Sequence, residues 1–330
     1  MFPSPNYTDI KFGIHSSAAR YCWVTYTLFG FLSSLIGDTV ILIASFHTNA
    51  FKINKLIVTV IQHIAITDIV ISIFGSLPVL ISSMANSWIL GHVLCYVTVC
   101  ITYTTYPAGT YLIAALATCK FLILRYPLRA ASWAAKRAHQ VCGLIWASSL
   151  TVSIINTWFK KDDMHFDYRI YICDHGFKTD GWRSTWTIIR IIHAFVPNII
   201  IVLITIPTLK YLAAARKSAI RVRGNVPWQG ALTVALTAIV YCISILPITV
   251  CHIVKTFVKE DTSSGVYINF YRISYFFMMI NIMTNFYIYT LTIRSFRRFF
   301  LSKVRRVCPV CWKSSTSISP ITSTLTAGKE

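Results

Sequence analysis

The segment CKFLILRYPLR, residues 119–129, follows an apolar run that begins near residue 93. Residues 93–119 contain no Asp, Glu, Lys or Arg. About 20 apolar residues suffice for a helix to cross a bilayer, so residues 93–124 predict a transmembrane helix. Lys120, Arg125 and Arg129 then mark its cytosolic end, because cytoplasmic loops carry an excess of Lys and Arg.

Six similar stretches account for most of the remaining chain. The 330 residues are 55% hydrophobic and have a mean hydropathy of +0.60, which is typical of a membrane protein. The stretches lack the strict apolar and polar alternation of barrel strands, so helices are expected. The predicted fold is an all-α membrane protein with seven transmembrane helices, the other six at 20–47, 55–84, 138–159, 185–214, 228–256 and 267–292.

The distribution of charge predicts the orientation in the membrane. With the N-terminus outside, the cytoplasmic segments hold 20 of the 31 Lys and Arg residues and only one acid, Glu330. This asymmetry favours an extracellular N-terminus. The sequon Asn6-Tyr7-Thr8 would then lie on the side where N-glycosylation occurs. The net charge of +20 is divided among loops, which indicates contact with membrane lipids and not with nucleic acid.

Two acids, Asp38 and Asp68, lie inside predicted spans. An acid within the membrane is costly unless it is paired, so each is a functional hypothesis. Two nearby carboxylates would share a proton or hold a cation such as sodium; a hydrogen-bonded polar knot is the structural alternative. A proton relay would fit a transporter or channel. An enzyme is not expected, since the spans lack catalytic or metal-ligand spacing and His63 and His139 are interpreted as helix-surface residues.

Motifs in fixed order along the chain resemble those of the rhodopsin-like (class A) family of G-protein-coupled receptors. IAITD contains Asp68, SWILGHVLC contains Trp88 and Cys95, and SILP contains Pro247. NIMTNFYIY is similar to the motif that ends the seventh helix of the family, and RSFRRFF resembles its short amphipathic eighth helix. The resemblance implies a receptor that binds an extracellular ligand and activates a heterotrimeric G protein in the plasma membrane.

The resemblance also assigns roles at the cytosolic end. Lys120 occupies the position of the family's arginine, which implies coupling to the G protein together with Phe121 and Tyr289. Cys119 replaces the usual acid beside it, so the restraining ion pair is missing, and lysine lacks the planar fork of arginine. Further departures are Ile245 for a tryptophan, Phe286 for a proline and Thr205 for a tyrosine. A coupling-impaired decoy receptor is therefore the alternative within signalling.

The resemblance further implies a disulfide between Cys95 and Cys173 and a sodium site at Asp68. Asn281 and Asn285 match helix-seven residues that face this acid, whereas Gly109 replaces a serine ligand. No other cofactor is expected.

Amine receptors of the family carry an acid at the position of Thr102, so the sequence indicates a small neutral molecule or a peptide end. Met279 replaces the retinal lysine of opsins. The residues that the resemblance directs into the ligand pocket are Thr102, Tyr103, Tyr106, His193, Thr249, His252 and Tyr275.

The tails complete the predicted organisation: an extracellular tail at 1–19, the receptor domain with helix eight at 20–303, and a disordered cytoplasmic tail at 304–330. Cys308 and Cys311 follow the eighth helix within a basic stretch, as palmitoylated cysteines do. The Ser- and Thr-rich end of the chain would accept phosphate for arrestin binding, or would serve as a plain linker.

Overall fold

The structure is a computed structural model that describes residues 17–47, 50–51, 53–126, 129, 135–159, 164–168, 170–175, 181–222, 228–257 and 265–307. Within these residues, seven long helices form a bundle and a shorter eighth helix follows. The helices are α1 (Ser17–Ser45), α2 (Lys55–Ala85), α3 (Gly91–Arg125), α4 (Ala135–Phe159), α5 (Gly181–Val222), α6 (Trp228–Phe257), α7 (Gly265–Thr292) and α8 (Arg294–Val307). A hairpin of β1 (Met164–Asp167) and β2 (Ile172–His175) lies between α4 and α5.

Each predicted span coincides with one of the seven long helices, so the predicted seven-helix bundle is confirmed. Among the described residues, α1 to α4 are individually long and apolar enough to cross a membrane. α7 meets the same criterion together with α8, which turns away from it by 101°. α5 and α6 contribute the shorter apolar segments Phe195–Tyr211 and Leu236–Cys251.

α2 changes its winding in the middle, at the π-helical turn Ser72–Ser76. Pro78 follows two residues after the turn, and a proline has no N–H to donate to the carbonyl four residues earlier. A π turn inserts an extra residue into the helix and is frequent at functional sites. Here it lies between Asp68, which is buried in the bundle interior, and Pro78, which is also buried.

α1 and α7 approach closely at Gly37. A Cβ atom built on Gly37 would lie 2.7 Å from the Cβ of Phe286, closer than real side chains pack. The Tyr26 hydroxyl also donates a hydrogen bond of 2.7 Å to the carbonyl of Phe276, and the two rings stack at 3.8 Å. The absence of a side chain at Gly37 thus allows Phe286 to pack against α1.

The hairpin lies between α4 and α5 and covers part of one end of the bundle, which we call the outer end. β1 and β2 pair antiparallel, with Phe166 opposite Cys173 and His165 opposite Asp174. Cys173 forms a disulfide with Cys95 near the start of α3, with a Cα–Cα distance of 5.6 Å. The predicted disulfide is therefore confirmed, and it fixes β2 against α3.

α8 packs back onto the bundle through its apolar face. Phe296 is fully buried and stacks on Phe51 with ring centroids 5.0 Å apart, whereas Arg297 and Arg298 are exposed. The helix continues to Val307, four residues beyond the boundary expected at 303.

Candidate functional site

A cavity of about 810 Å³, counting space open to solvent, lies between the helices beneath the hairpin. Four of the predicted pocket residues line it: Thr102, Tyr103, Tyr106 and Tyr275. Thr249 does not line this cavity; it is buried and donates to the carbonyl of Ile245 one turn earlier. The other two predicted residues, His193 and His252, belong to α5 and α6, but the structure does not describe their side chains.

The same cavity contains an acid that the sequence analysis did not assign. Asp174 lines it although it belongs to the hairpin and not to a helix. Its side chain is only 2% exposed, and the Tyr103 hydroxyl donates a hydrogen bond of 2.7 Å to its Oδ1. The sequence feature that could have identified Asp174 is its position directly after Cys173. A disulfide from Cys173 to α3 brings the next residue over the space between the helices.

A second residue of the hairpin, Tyr171, connects the hairpin to the end of α2. Tyr171 has a positive φ of 57° and is buried, and its hydroxyl donates 2.9 Å to Oδ1 of Asn86 at the end of α2. Burial raises the pKa of the Tyr171 phenol, while the positive charges of Arg20 and Arg272 oppose this rise. The hairpin is thus attached to α2 as well as to α3.

The two acids of the spans form one buried polar network across α1, α2 and α7. Asn285 Nδ2 donates 2.6 Å to Oδ2 of Asp68. Ser34 donates 2.8 Å to Oδ2 of Asp38, and Ser72 lies 2.7 Å from both the Ser34 hydroxyl and the Asp68 carbonyl oxygen. The acids also interact electrostatically with each other. Oδ1 of Asp38 is buried without a hydrogen-bond partner among the described residues.

A second cavity, of about 420 Å³ when space open to solvent is counted, lies below the first. Asp68 and Asn281 line it, which brings two of the four residues predicted for the ion site to one space, and Gly109, which replaces the family's serine ligand, lines it as well. Asp38 and Asn285 are not on its surface. Asn285 instead donates a hydrogen bond to Asp68. Of the four residues predicted for the ion site, two therefore line the cavity and two lie behind its wall.

The two cavities are stacked and share part of their walls. Ile71, Tyr106 and Met278 line both. The Tyr106 hydroxyl lies near Thr249 but makes no hydrogen bond of good geometry within the described residues. Beside the lower cavity, the Tyr241 hydroxyl of α6 donates to the Thr110 hydroxyl of α3, a link that the sequence analysis did not identify.

Lys120 is placed inside the bundle near the end of α3. Its side chain is only 6% exposed, and no hydrogen bond or ion pair joins it to another described residue. Phe121 is half-buried. Tyr289 is fully buried near Asp38 and Asp68, and its hydroxyl has no hydrogen-bond partner in the described part of the chain.

Two histidines interpreted as helix-surface residues form a contact between helices. His63 Nε2 on α2 lies 3.2 Å from Nδ1 of His139 on α4. Single histidines give no such signal in a sequence, because the contact depends on how α2 and α4 pack. Among the described residues, no group of three or more His, Cys, Asp or Glu side chains could hold a metal ion.

Several predicted sites lie outside the described residues. They are the sequon residue Asn6, the cysteines Cys308 and Cys311, and the Ser- and Thr-rich end of the chain.

Seven packed helices, a disulfide-anchored hairpin over an outer cavity and a polar network beneath it define a seven-transmembrane receptor. The sequence model of the family described as "7 transmembrane receptor (rhodopsin family)" matches residues 37–289. The chain belongs to this family, as the motifs indicated, and is a multi-pass protein of the plasma membrane. Because members of the family are receptors, the prediction that the chain is not an enzyme is confirmed.

The chain is also similar to Proteinase-activated receptor 1 from Xenopus laevis. The two are 27% identical over 104 residues, which cover 31% of this chain and 25% of that receptor. The chain thus matches a quarter of the relative's length.

Proposed function

We propose that this receptor binds an extracellular ligand in the outer cavity and activates a heterotrimeric G protein at its cytosolic end. The observation that carries the proposal is the stacking of the two cavities through Tyr106 and Met278. A ligand that contacts these side chains from above also changes the wall of the lower cavity. The aromatic and hydroxyl lining suits a small molecule or the end of a peptide.

The lower cavity supplies a route from the ligand to the cytosolic half of the bundle. Tyr241 and Thr110 beside it join α6 to α3. A ligand that favours a state without this bond shifts the population of that state by its difference in affinity. α6 can then separate from α3, and the cytosolic end opens around Lys120.

The ability of Lys120 to bind a G protein distinguishes a signalling receptor from a coupling-impaired one. A buried amine without a partner in the described structure is available to a G protein once the bundle opens. However, lysine presents a point charge and not the planar fork of an arginine. The decoy alternative is supported by this replacement and by Ile245, which occupies the wall of the lower cavity in place of a tryptophan.

The decisive experiment measures basal nucleotide exchange on a panel of G proteins, with wild type, Lys120→Ala and Lys120→Arg at matched surface expression. A basal signal that falls in Lys120→Ala supports coupling through Lys120. A signal that appears only in Lys120→Arg supports the decoy receptor. A proton current from wild type, with no exchange in any variant, would instead favour the channel alternative.

A cation or proton site at Asp68 is part of the same proposal. Asp68 and the Asn281 side chain offer oxygen ligands in one cavity, as a hard cation such as sodium requires. Asn285 and Asp38 would support this site from behind, by a hydrogen bond and by charge. The alternative is a proton shared between the two acids. Replacing sodium by potassium during a thermal melt, at two pH values, separates the two.

The topology and the tails extend the proposal. We place the N-terminus outside, with a tail at 1–19, the receptor domain at 20–303 and a cytoplasmic tail at 304–330 that binds arrestin when phosphorylated.

An N-terminal epitope that antibodies reach on intact cells tests the orientation. Loss of a glycosidase-sensitive mobility shift in Asn6→Gln tests glycosylation, and loss of hydroxylamine-sensitive acylation in Cys308→Ser with Cys311→Ser tests palmitoylation. Arrestin recruitment by a chain ending at residue 312 tests the last role.

A further inference from the structure

His63 on α2 and His139 on α4 form a pair of imidazole rings that the proposed signalling route does not use. His63 Nε2 lies 3.2 Å from His139 Nδ1, and the ring centroids are 5.4 Å apart. His139 is exposed and His63 is half-buried, so the pair borders the surface between the two helices. Lys136 and Arg137 precede His139 in the first turn of α4, which puts the pair near the end of the bundle that we place in the cytosol.

The separation of the two facing nitrogens suits a shared metal ion. Zinc binds imidazole nitrogen at about 2.0–2.1 Å in tetrahedral geometry, which places two such nitrogens about 3.3 Å apart. The observed distance of 3.2 Å between His63 Nε2 and His139 Nδ1 agrees with this spacing. The packing of α2 against α4 thus already holds the rings at the distance that a metal requires, and a turn of the exposed His139 ring aims both lone pairs at one point.

Metal binding changes only the tautomer of a neutral pair. In the hydrogen-bonded pair one ring donates its N–H to the lone pair of the other ring. When that proton is carried by the remaining nitrogen of the same ring, both facing nitrogens have a lone pair and both rings stay neutral. Neutral imidazole is the form that ligates metals, so the pair binds an ion without a net loss of protons.

The ligand chemistry selects the class of metal. Imidazole suits zinc, copper and nickel, whereas magnesium and calcium prefer oxygen ligands. No group of three or more His, Cys, Asp or Glu side chains in the described part of the chain could hold a metal. The other positions around an ion at the pair are therefore open to water, and the site differs in both ligands and place from the oxygen-lined cavity at Asp68.

We propose that His63 and His139 bind a divalent transition-metal ion of the zinc class, which joins α2 to α4. The ion reaches both rings only while the two helices are packed together, so it stabilises the folded receptor. The site does not depend on ligand binding in the outer cavity or on coupling to a G protein.

The test is a thermal melt of the purified receptor in nanodiscs, with no polyhistidine tag on the receptor or on the scaffold protein. Zinc chloride is compared with magnesium chloride at equal ionic strength, and EDTA is added to reverse the effect. Equilibrium dialysis with zinc, well below the melting temperature, measures the affinity directly. The variants are His139→Ala, His63→Gln and the control His92→Ala, which removes an exposed histidine of α3.

We expect zinc to raise the melting temperature of wild type and magnesium to leave it unchanged. Zinc should bind His139→Ala and His63→Gln at least about tenfold more weakly, because even residues that only support a metal ligand change affinity by about 10–100-fold. His92→Ala should respond like wild type. His139 is exposed, so its alanine variant keeps the fold and decides the test alone if His63→Gln does not fold.

Three results would overturn the inference. The first is a wild-type receptor that zinc does not stabilise, or that magnesium stabilises equally. The second is a zinc affinity in His139→Ala equal to that of wild type, which would place the ion elsewhere. The third is a loss of the zinc response in His92→Ala, which would assign the ion to α3.

Discussion

Asn285 on α7 donates a hydrogen bond of 2.6 Å to the carboxylate of Asp68 on α2, and both side chains are buried. Asp68→Ala leaves the Asn285 amide buried without this acceptor, which costs about 1–3 kcal/mol. We expect a clear fall in the melting temperature of the purified receptor. Asp68→Asn keeps the shape and should cost less. A melting temperature of Asp68→Ala equal to wild type would mean that the bond does not hold α2 to α7.

Sodium should stabilise wild type and not Asp68→Asn. The cation lowers the free energy of the folded state only where a carboxylate is present to bind it, so the melting temperature rises with sodium at constant ionic strength. Potassium in place of sodium is the ionic-strength control. An equal response of the two proteins would remove Asp68 from any sodium site and favour a proton shared with Asp38.

Gly37→Ala should destabilise the receptor through the contact between α1 and α7. Its new Cβ would lie 2.7 Å from the Cβ of Phe286, so the helices must separate, at a cost of about 1–3 kcal/mol. Gly143→Ala on α4 is the control, because nothing lies within 4 Å of its new Cβ. Alanine there should be neutral or stabilising by up to about 1 kcal/mol. Equal melting temperatures for the two variants would contradict the close packing.

Tyr241→Phe should raise basal nucleotide exchange in a receptor that couples. The change removes the hydroxyl that binds Thr110 and loosens α6 from α3, with a loss of about 0.5–1.5 kcal/mol in stability. For the stability measurement alone, Tyr289→Phe is the matched control, since its hydroxyl is buried without a hydrogen-bond partner among the described residues. It should leave stability unchanged or improve it.

A double-mutant cycle with Thr110→Val isolates this contact. Thr110 also donates 2.9 Å to the carbonyl of Tyr106, so the valine variant alone removes two bonds. A coupling energy near zero between Tyr241→Phe and Thr110→Val would show that the two hydroxyls do not interact.

Cys173→Ala should reduce the stability of the receptor, because it removes the disulfide to Cys95. Removing a native disulfide typically costs about 2–5 kcal/mol. Without it, β2 is no longer fixed against α3, and Asp174 loses its position over the cavity. Cys22→Ala is the control because Cys22 is a free, exposed cysteine of α1. A melting temperature of Cys173→Ala equal to that of wild type would show that Tyr103 and Tyr171 hold the hairpin without the disulfide.

The α-helical fold was predictable because each span is a local property of the chain. About 20 consecutive apolar residues with no charge form a helix in a bilayer regardless of what lies next to them. The spans at 93–124 and 267–292 accordingly agree with α3 and α7 to within two residues at each end. The π turn Ser72–Ser76 and the hairpin were not predictable in this way, since their signals are short and depend on neighbouring elements.

The candidate site residues differ in the same way: some are recognisable in the sequence, and others only from how the helices pack. Asp38 and Asp68 are visible in the sequence because an acid in an apolar run is costly wherever it lies. Asn281 and Asn285 share α7, and only the packed helices show that one lines the lower cavity and the other binds Asp68.

The sequence by itself determined the number of membrane helices, the position of Lys120 at the end of α3 and the cysteines of the disulfide. These follow from apolar run length, charge distribution and motif order along the chain. Only the tertiary structure decided that Lys120 is buried in the bundle, that Tyr241 meets Thr110 and that Asp174 lines the outer cavity. The physical reason is that these contacts join residues far apart in the chain, and their side-chain directions are fixed by how the helices and the hairpin pack.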